Sequence, residues 1–368
     1  MADGDAKDAS AFEAAGLYDR NAPDAADRLT LLRYLAAKGA TIAQMVAAPS
    51  ITGLAADLTL RPGARYTARQ VAARHGMSVD QVLALSLAVG LPPGSPDDAV
   101  YADEDAVVFA LFNEASTLFG ADATRRFVRV VGSSLARIAE AAVTLFQVNV
   151  EGPLLAAGGT PVELARENLR AIGSLDGVRQ MLQALFTVHM EQAIRRLREA
   201  QPRSSVDTAT FAVGFVDLVS YTTLAHRMSA RELAQVIERF EETAYDVVTA
   251  HAGRVVKLVG DEVMFVARAP RAACDIALTL VERFAGDSAV TPRGGLAHGE
   301  VLLRGGDYYG PIVNLASRVA QIAVPNELLV TPAVASGAAG HFRFEPAGKR
   351  MLKGFDEPVA LLTVARRQ

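Results

Sequence analysis

The chain contains a single cysteine, Cys274, and no tryptophan. One cysteine excludes an intrachain disulfide framework and a multi-thiolate zinc site. Lysine is scarce as well: of 37 basic residues only five are lysine, namely Lys7, Lys38, Lys257, Lys349 and Lys353. Arginine carries nearly all the positive charge, so a lysine marks a place where a compact ammonium stands in preference to a wide guanidinium. A membrane helix needs about 20 apolar residues in a row. The best stretch, 127–150, is interrupted by Arg129, Arg137 and Glu140. The opening MADGDAKDAS has neither the basic nor the apolar region of a secretory signal. A cytoplasmic protein without membrane insertion is expected. The formal net charge of -4 offers no overall positive field to grip nucleic acid.

Against those absences stand 368 residues that are 51% hydrophobic and 21% charged, enough for buried cores and a prior of about two domains. Texture changes near residue 200. Before it the chain is rich in alanine and leucine at helical spacing. After residue 210 short β-type runs begin: FAVGFVDL, RVVKLVG, EVMFVA, ELLVT and VALLTVA. The segment between carries Pro, Ser and Asp, linker chemistry. The expected organisation is therefore a helical domain over 1–200, a linker over 201–207 and a second domain over 208–368.

In the first domain the spacing predicts helices at about 25–38, 67–75, 78–90, 103–119, 122–148, 161–173 and 176–200, with Thr67 and Ser78 as caps and Gly39 and Gly76 as stops. In the last of these, Val178, Met181, Leu182, Leu185, Phe186, Ile194 and Leu197 recur at helical intervals. Residues 66–92 have helix-turn-helix spacing, but the second helix carries no arginine or lysine to meet phosphate or guanine. An ordinary helical hairpin is the better reading.

The second domain alternates strands and helices and is expected to form an α+β layer fold with helices on one face of a sheet. Three of its segments carry chemistry. In FVDLVSYT (215–222) an apolar strand ends on Asp217, followed by hydroxyl residues. In VVKLVGDEVMF (255–265) two β-runs flank Gly260-Asp261, a tight turn presenting a carboxylate. If the strands pair, Asp217 and Asp261 meet at one sheet end, and two carboxylates with a polyphosphate suit Mg²⁺. In GGDYYGPIVNLASRV (305–319) Asn314 and Arg318 lie four apart on one helix face, and Arg suits phosphate.

These three segments, in this order, resemble the catalytic domain of class III nucleotidyl cyclases, over about 207–366. The resemblance implies a ferredoxin-like α+β catalytic domain behind the all-α N-terminal domain. It implies that Asp217 and Asp261 bind two Mg²⁺ or Mn²⁺ ions per site. Lys257 and Asp307 match the purine-recognising pair, Asn314 and Arg318 the transition-state pair, and Lys353 a triphosphate-binding lysine. Tyr221 and Thr222 are expected beside the substrate. Lysine offers only donors and a carboxylate only acceptors, which fits adenine N1 and its N6 amine and opposes guanine. Adenylyl cyclase activity on ATP is therefore expected, with guanylyl cyclase or a non-catalytic DNA-binding or scaffold protein as alternatives. The chain departs from the family pattern at Ser220, Tyr221, Leu258, Val259 and Leu315, all near the site, and none of these departures removes a ligand.

The resemblance also implies a homodimer with sites shared between subunits. More weakly, residues 1–200 resemble the helical regulatory domains of actinobacterial soluble cyclases. Regulation, including autoinhibition, is expected of them, with a small molecule, a lipid or a proton as candidate effector. His189 and His75 are the histidines proposed for proton sensing.

Overall fold

The computed structural model describes residues 2–92, 94–199, 207–219, 228–285 and 290–367. The expected linker, except Asp207, together with Ser220, Tyr221 and Thr222, lies outside the described residues. The chain divides into two compact units, 1–196 and 197–368.

The first unit is helical. Its helices are α1 (Ala2–Ala14), α2 (Ala25–Ala37), α3 (Ile42–Ala47), α4 (Leu54–Leu60), α5 (Ala68–His75), α6 (Val79–Ala88), α7 (Ala106–Phe119), α8 (Ala121–Phe146), α9 (Gly152–Ala156), α10 (Pro161–Gly173) and α11 (Leu175–Glu199). Local chemistry sets the starts. Thr41, Thr67, Ser78 and Thr160 each accept from the backbone N–H three residues on, and Gln44, Gln70, Gln81 and Glu163 answer from that position. Gly76 ends α5 with a left-handed φ of 63°.

Two small cores hold these helices. Leu31, Leu32 and Leu35 of α2 pack with Met45, Leu54 and Val162. Val71 of α5, Val82 and Leu85 of α6, and Phe109 and Phe112 of α7 form the other. The helix-turn-helix segment thus buries the apolar side of α6 in a helical hairpin. A π-turn over Gln147–Glu151 joins α8 to α9. Beyond Ser133 almost every residue of α8 is exposed, including Leu135, Ile138, Val143 and Leu145. On α11, Met181, Leu185, Phe186, Val188 and Ile194 are exposed too. The apolar stripe read from the sequence is present but not covered within the described chain.

The second unit is built on an eight-stranded sheet: β1 (Thr208–Val219), β2 (Arg254–Val259), β3 (Glu262–Ala267), β4 (Thr291–Arg304), β5 (Asp307–Tyr309), β6 (Leu328–Val330), β7 (Phe342–Arg350) and β8 (Val359–Arg366). Strand order is β2-β3-β1-β4-β6-β8-β7, with β5 paired to β4. All pairings are antiparallel except β4 with β6. Its helices are α12 (Ala230–Ala250), α13 (Pro270–Phe284), α14 (Pro311–Ile322) and α15 (Pro332–Gly337).

The expectation of helices on one face is corrected. Alternate residues of β1 enter different cores. Ala212, Val216 and Leu218 join Phe240 of α12 and Ile276 and Leu280 of α13. Val213 and Phe215 join Met264, Val266, Ala297 and the α14 residues Ala316 and Ala320 on the other face. Burial on both faces is why β1 reads as a near-continuous apolar run. Contact with α14 is close: a Cβ on Gly295 of β4 would lie 2.1 Å from the Ala320 nitrogen. Glycine there lets the helix carrying Asn314 and Arg318 lie directly on the sheet.

Candidate active site

The face under α14 holds the chemistry-bearing residues. In the register of the sheet, Asp217 of β1 lies opposite Glu262 of β3 and Arg293 of β4. The odd-numbered β1 residues face α14, so these three side chains stand side by side on that face. Asp261 sits in the β2–β3 turn, where Gly260 takes a φ of 62°, and its carbonyl accepts the Leu218 N–H at 3.1 Å. The two aspartates expected to bind metal therefore occupy one end of the sheet.

Arg293 grips Asp217 with both arms: Nε donates to Oδ1 at 2.8 Å and Nη2 to Oδ2 at 2.9 Å. Its Nη1 donates to the carbonyl oxygens of Gln321 and Ala323, at the end of α14. One guanidinium serves three carboxylates, and the other two are left short of charge. Burial, followed by repulsion from Asp217, lifts the Asp261 pKa above the ordinary value, against its own backbone N–H and Arg293. Burial likewise raises Glu262, to about 7, with Asp217 and Asp261 adding repulsion. Sequence reasoning missed both Arg293 and Glu262. Glu262 was visible as the residue after the turn aspartate, whereas Arg293 becomes a neighbour only through the β1–β4 register.

Further along the same face Lys257 and Asp307 meet, Nζ to Oδ2 at 2.8 Å. The other carboxylate oxygen of Asp307 accepts the Tyr308 N–H at 2.8 Å. Burial pushes the Asp307 pKa up, but the Lys257 ammonium and the Tyr308 N–H together outweigh it and hold the carboxyl below its ordinary value. Asp307 is on β5, a short arm made by the two-residue turn Gly305-Gly306, with φ of 61° and 80°.

On α14, Asn314 is exposed and Arg318 half-buried one turn later, with Arg318 Nη1 donating to Gln321 Oε1 at 2.6 Å. Lys353 is exposed in a turn after β7. The preceding Leu352 is buried against Val319 of α14 and Leu361 of β8, which anchors that turn. The described chain thus joins the expected residues in three sets: Asp217 with Asp261, Lys257 with Asp307, and Asn314 with Arg318. Tyr221 and Thr222 fall outside the described residues. In the helical unit His189 is exposed within the single chain. His75 is half-buried with its ring 5.9 Å from that of Phe109.

The aspartate end fits a divalent cation. Two carboxylates crowded against each other, one with a raised pKa, are stabilised by positive charge placed between them. Among the described residues no cluster of three or more acidic, histidine or cysteine side chains has metal-ligand geometry. Two protein carboxylates leave the remaining positions to water and substrate oxygens, the usual arrangement for Mg²⁺ with a polyphosphate.

Residues 204–363 match the adenylate and guanylate cyclase catalytic domain, and residues 12–194 match the adenylate cyclase regulatory domain. An adenylate cyclase of Streptomyces coelicolor is 34% identical over 277 residues, covering 74% of this chain and 71% of that protein. The chain belongs to the adenylate cyclase family. An uncharacterized protein of Mycobacterium tuberculosis is 31% identical over 365 residues, 96% of this chain and 93% of its own. A protein named pH-sensitive adenylate cyclase, also from Mycobacterium tuberculosis, is 29% identical over 364 residues, 93% and 88% of the two chains. The cyclase domain makes this family member an enzyme, and the sheet with Asp217, Asp261, Lys257 and Asp307 lies inside the matched catalytic region. Among the described residues no helix is long and apolar enough to cross a membrane.

Proposed function

We propose that this cyclase converts ATP to 3′,5′-cyclic AMP and pyrophosphate. The observation that carries the reading is the Lys257–Asp307 contact of 2.8 Å. It sets a donor beside an acceptor, the complement of adenine N1 and its N6 amine, whereas guanine would present an acceptor and a donor the wrong way round. Asp217 and Asp261 would hold two Mg²⁺ or Mn²⁺ ions bound with the triphosphate. Such ions supply charge neutralisation and a lowered pKa at the 3′ hydroxyl. Arg318 would stabilise charge on the α-phosphate as the 3′ oxygen attacks in line, and Asn314 would orient the ribose. Lys353, with Tyr221 and Thr222, would hold the triphosphate. Incubating the full chain with Mn²⁺ or Mg²⁺ and ATP or GTP tests the reading: cyclic AMP from ATP is expected, and cyclic GMP as main product would overturn it.

A homodimer sharing its sites is the reading for assembly. Two features support it: within one chain the metal end and the α14 pair form separate sets, and α8 and α11 expose apolar side chains that water does not favour. Asp217→Ala and Arg318→Ala, each inactive alone, should recover partial activity on mixing. Heterodimers without activity would remove the shared-site reading.

The helical domain is proposed to regulate the catalytic domain by changing dimer geometry. The relative named for pH sensitivity makes protons the first effector to test, by comparing the full chain with 204–368 across pH. His75 is then the histidine to replace before His189, because only His75 is packed. Equal, effector-independent activity of the two proteins would leave residues 1–200 as a passive dimerisation domain.

A further inference from the structure

β2 carries two cations, Arg254 and Lys257, three residues apart. In a regular strand such a pair would point to opposite faces. Here a bulge lies between Val255 and Lys257, so Arg254 pairs with Val266 and Lys257 with Met264. Val266 and Met264 both face α14. The extra residue therefore turns both cations onto the nucleotide face, as bulges beside active sites do.

Both reach the same object. Lys257 takes the Asp307 carboxylate. Arg254 Nη2 donates to the Gly306 carbonyl at 3.1 Å, and Nη1 donates to the Tyr308 hydroxyl at 3.4 Å. The Arg254 guanidinium also lies over the Tyr308 ring, 5.7 Å from its centre. Tyr308 is buried, edge-on to Phe211 at 5.3 Å. Asp307 is thus flanked on both sides by residues that Arg254 holds. Its arm has only three residues and pairs with β4 alone. The ladder fixes one side of the arm, and Arg254 ties the other side to the strand that carries Lys257.

We propose that Arg254 is a positioning residue for base selection: it latches the β5 arm so that the Asp307 carboxylate keeps its place beside Lys257. The proposal rests on the adenine reading of the Lys257–Asp307 pair. Arg254 touches neither base nor phosphate in this role. It limits how far the acceptor can move from the donor, and discrimination between two bases depends on that spacing.

The test is steady-state kinetics of the full chain with ATP and with GTP, alongside thermal unfolding. Arg254→Ala is expected to raise the KM for ATP about tenfold, with a smaller change in kcat, and to narrow the ATP-over-GTP ratio of kcat/KM by a similar factor. Arg254→Lys, which can still donate to the Gly306 carbonyl, should recover part of that ratio. Tyr308→Phe should move it less, in the same direction. An unchanged KM and ratio in Arg254→Ala overturns the proposal, as does an equal loss for both nucleotides carried by kcat. If Arg254→Ala does not fold, unchanged ratios in Arg254→Lys and Tyr308→Phe overturn it. A wild-type chain that favours GTP removes the adenine reading before any variant is made. A wild-type chain that favours ATP, with variants that do the same, removes only the role of Arg254.

Discussion

At one end of the α14 face three carboxylates, Asp217, Asp261 and Glu262, share, among the described residues, one guanidinium, that of Arg293. At the other end one carboxylate, Asp307, has an ammonium and a backbone N–H to itself. The sheet and the face are the same, yet the electrostatic outcomes are opposite. The first end is short of positive charge, and burial with repulsion from neighbouring carboxylates raises the pKa values of Asp261 and Glu262. The second is balanced, and its carboxyl stays ionised. A charge-deficient cluster gains from cations that arrive with a substrate. A balanced pair can read the polar edge of a neutral base without demanding a further charge.

Breaking the first end should produce the larger effect. Asp217→Asn removes a carboxylate charge placed to hold metal, and activity with saturating ATP should fall by about 10³-fold, since each 1.4 kcal/mol is tenfold. The same change takes from Arg293, only 24% exposed, the carboxylate that it grips with both arms. A loss of about 2 kcal/mol in unfolding free energy should accompany it. Activity near wild type would mean that this end does not hold the metal. At the other end the double reversal Lys257→Glu with Asp307→Lys keeps an ion pair but exchanges donor and acceptor. ATP-over-GTP preference should then shift toward GTP by about 10², measured as relative kcat/KM. An unchanged preference would show that the pair does not face the base.

The two ends also differ in how far they could be read without a structure. Asp217 stands where an apolar run stops, and Asp261 follows the glycine of a tight turn, so both carry a local signal. Lys257 is one of few lysines, and Asn314 and Arg318 share a helical face by spacing alone. Arg293 has no such signal. Its strand opens with TPRGG, and proline and paired glycines hide the β pattern that β-branched residues would announce. Its neighbours come from pairing along the whole of β1 with β4. The glycine that hides the strand is the one that admits α14, which is also why helices on both faces were not foreseen. Arg254 was equally illegible, because its direction depends on a bulge. For α8 and α11, helical spacing announced the elements correctly, but an apolar stripe does not state what covers it.

The smallest expected effect is the most direct comparison of the two ends, because it reads them by stability versus pH with opposite signs. In metal-free protein Glu262 has a folded pKa of about 7 against an ordinary 4.5. Between those values the folded chain holds a proton that the unfolded chain has released. Stability from this group therefore falls as pH rises through the window. Asp261, raised in the same direction, adds to the fall. Asp307 has a lowered pKa, so its contribution is present above the ordinary value of 3.8 and is lost as pH drops through the lower folded value. Thermal midpoints in a chelator should then separate the two. Glu262→Gln should flatten the decline between pH 4.5 and pH 7 and lie above wild type at pH 8. Asp307→Asn should leave that decline intact and weaken the protein at neutral pH, by a small amount because the Lys257 partner is 44% exposed. Divalent metal at pH 8 should raise the wild-type midpoint more than that of Asp217→Asn, since positive charge relieves the crowding that Asp217 helps create. Parallel pH curves for wild type and Glu262→Gln would show that Glu262 is solvated and ordinary. The contrast between the two ends would then rest on geometry alone.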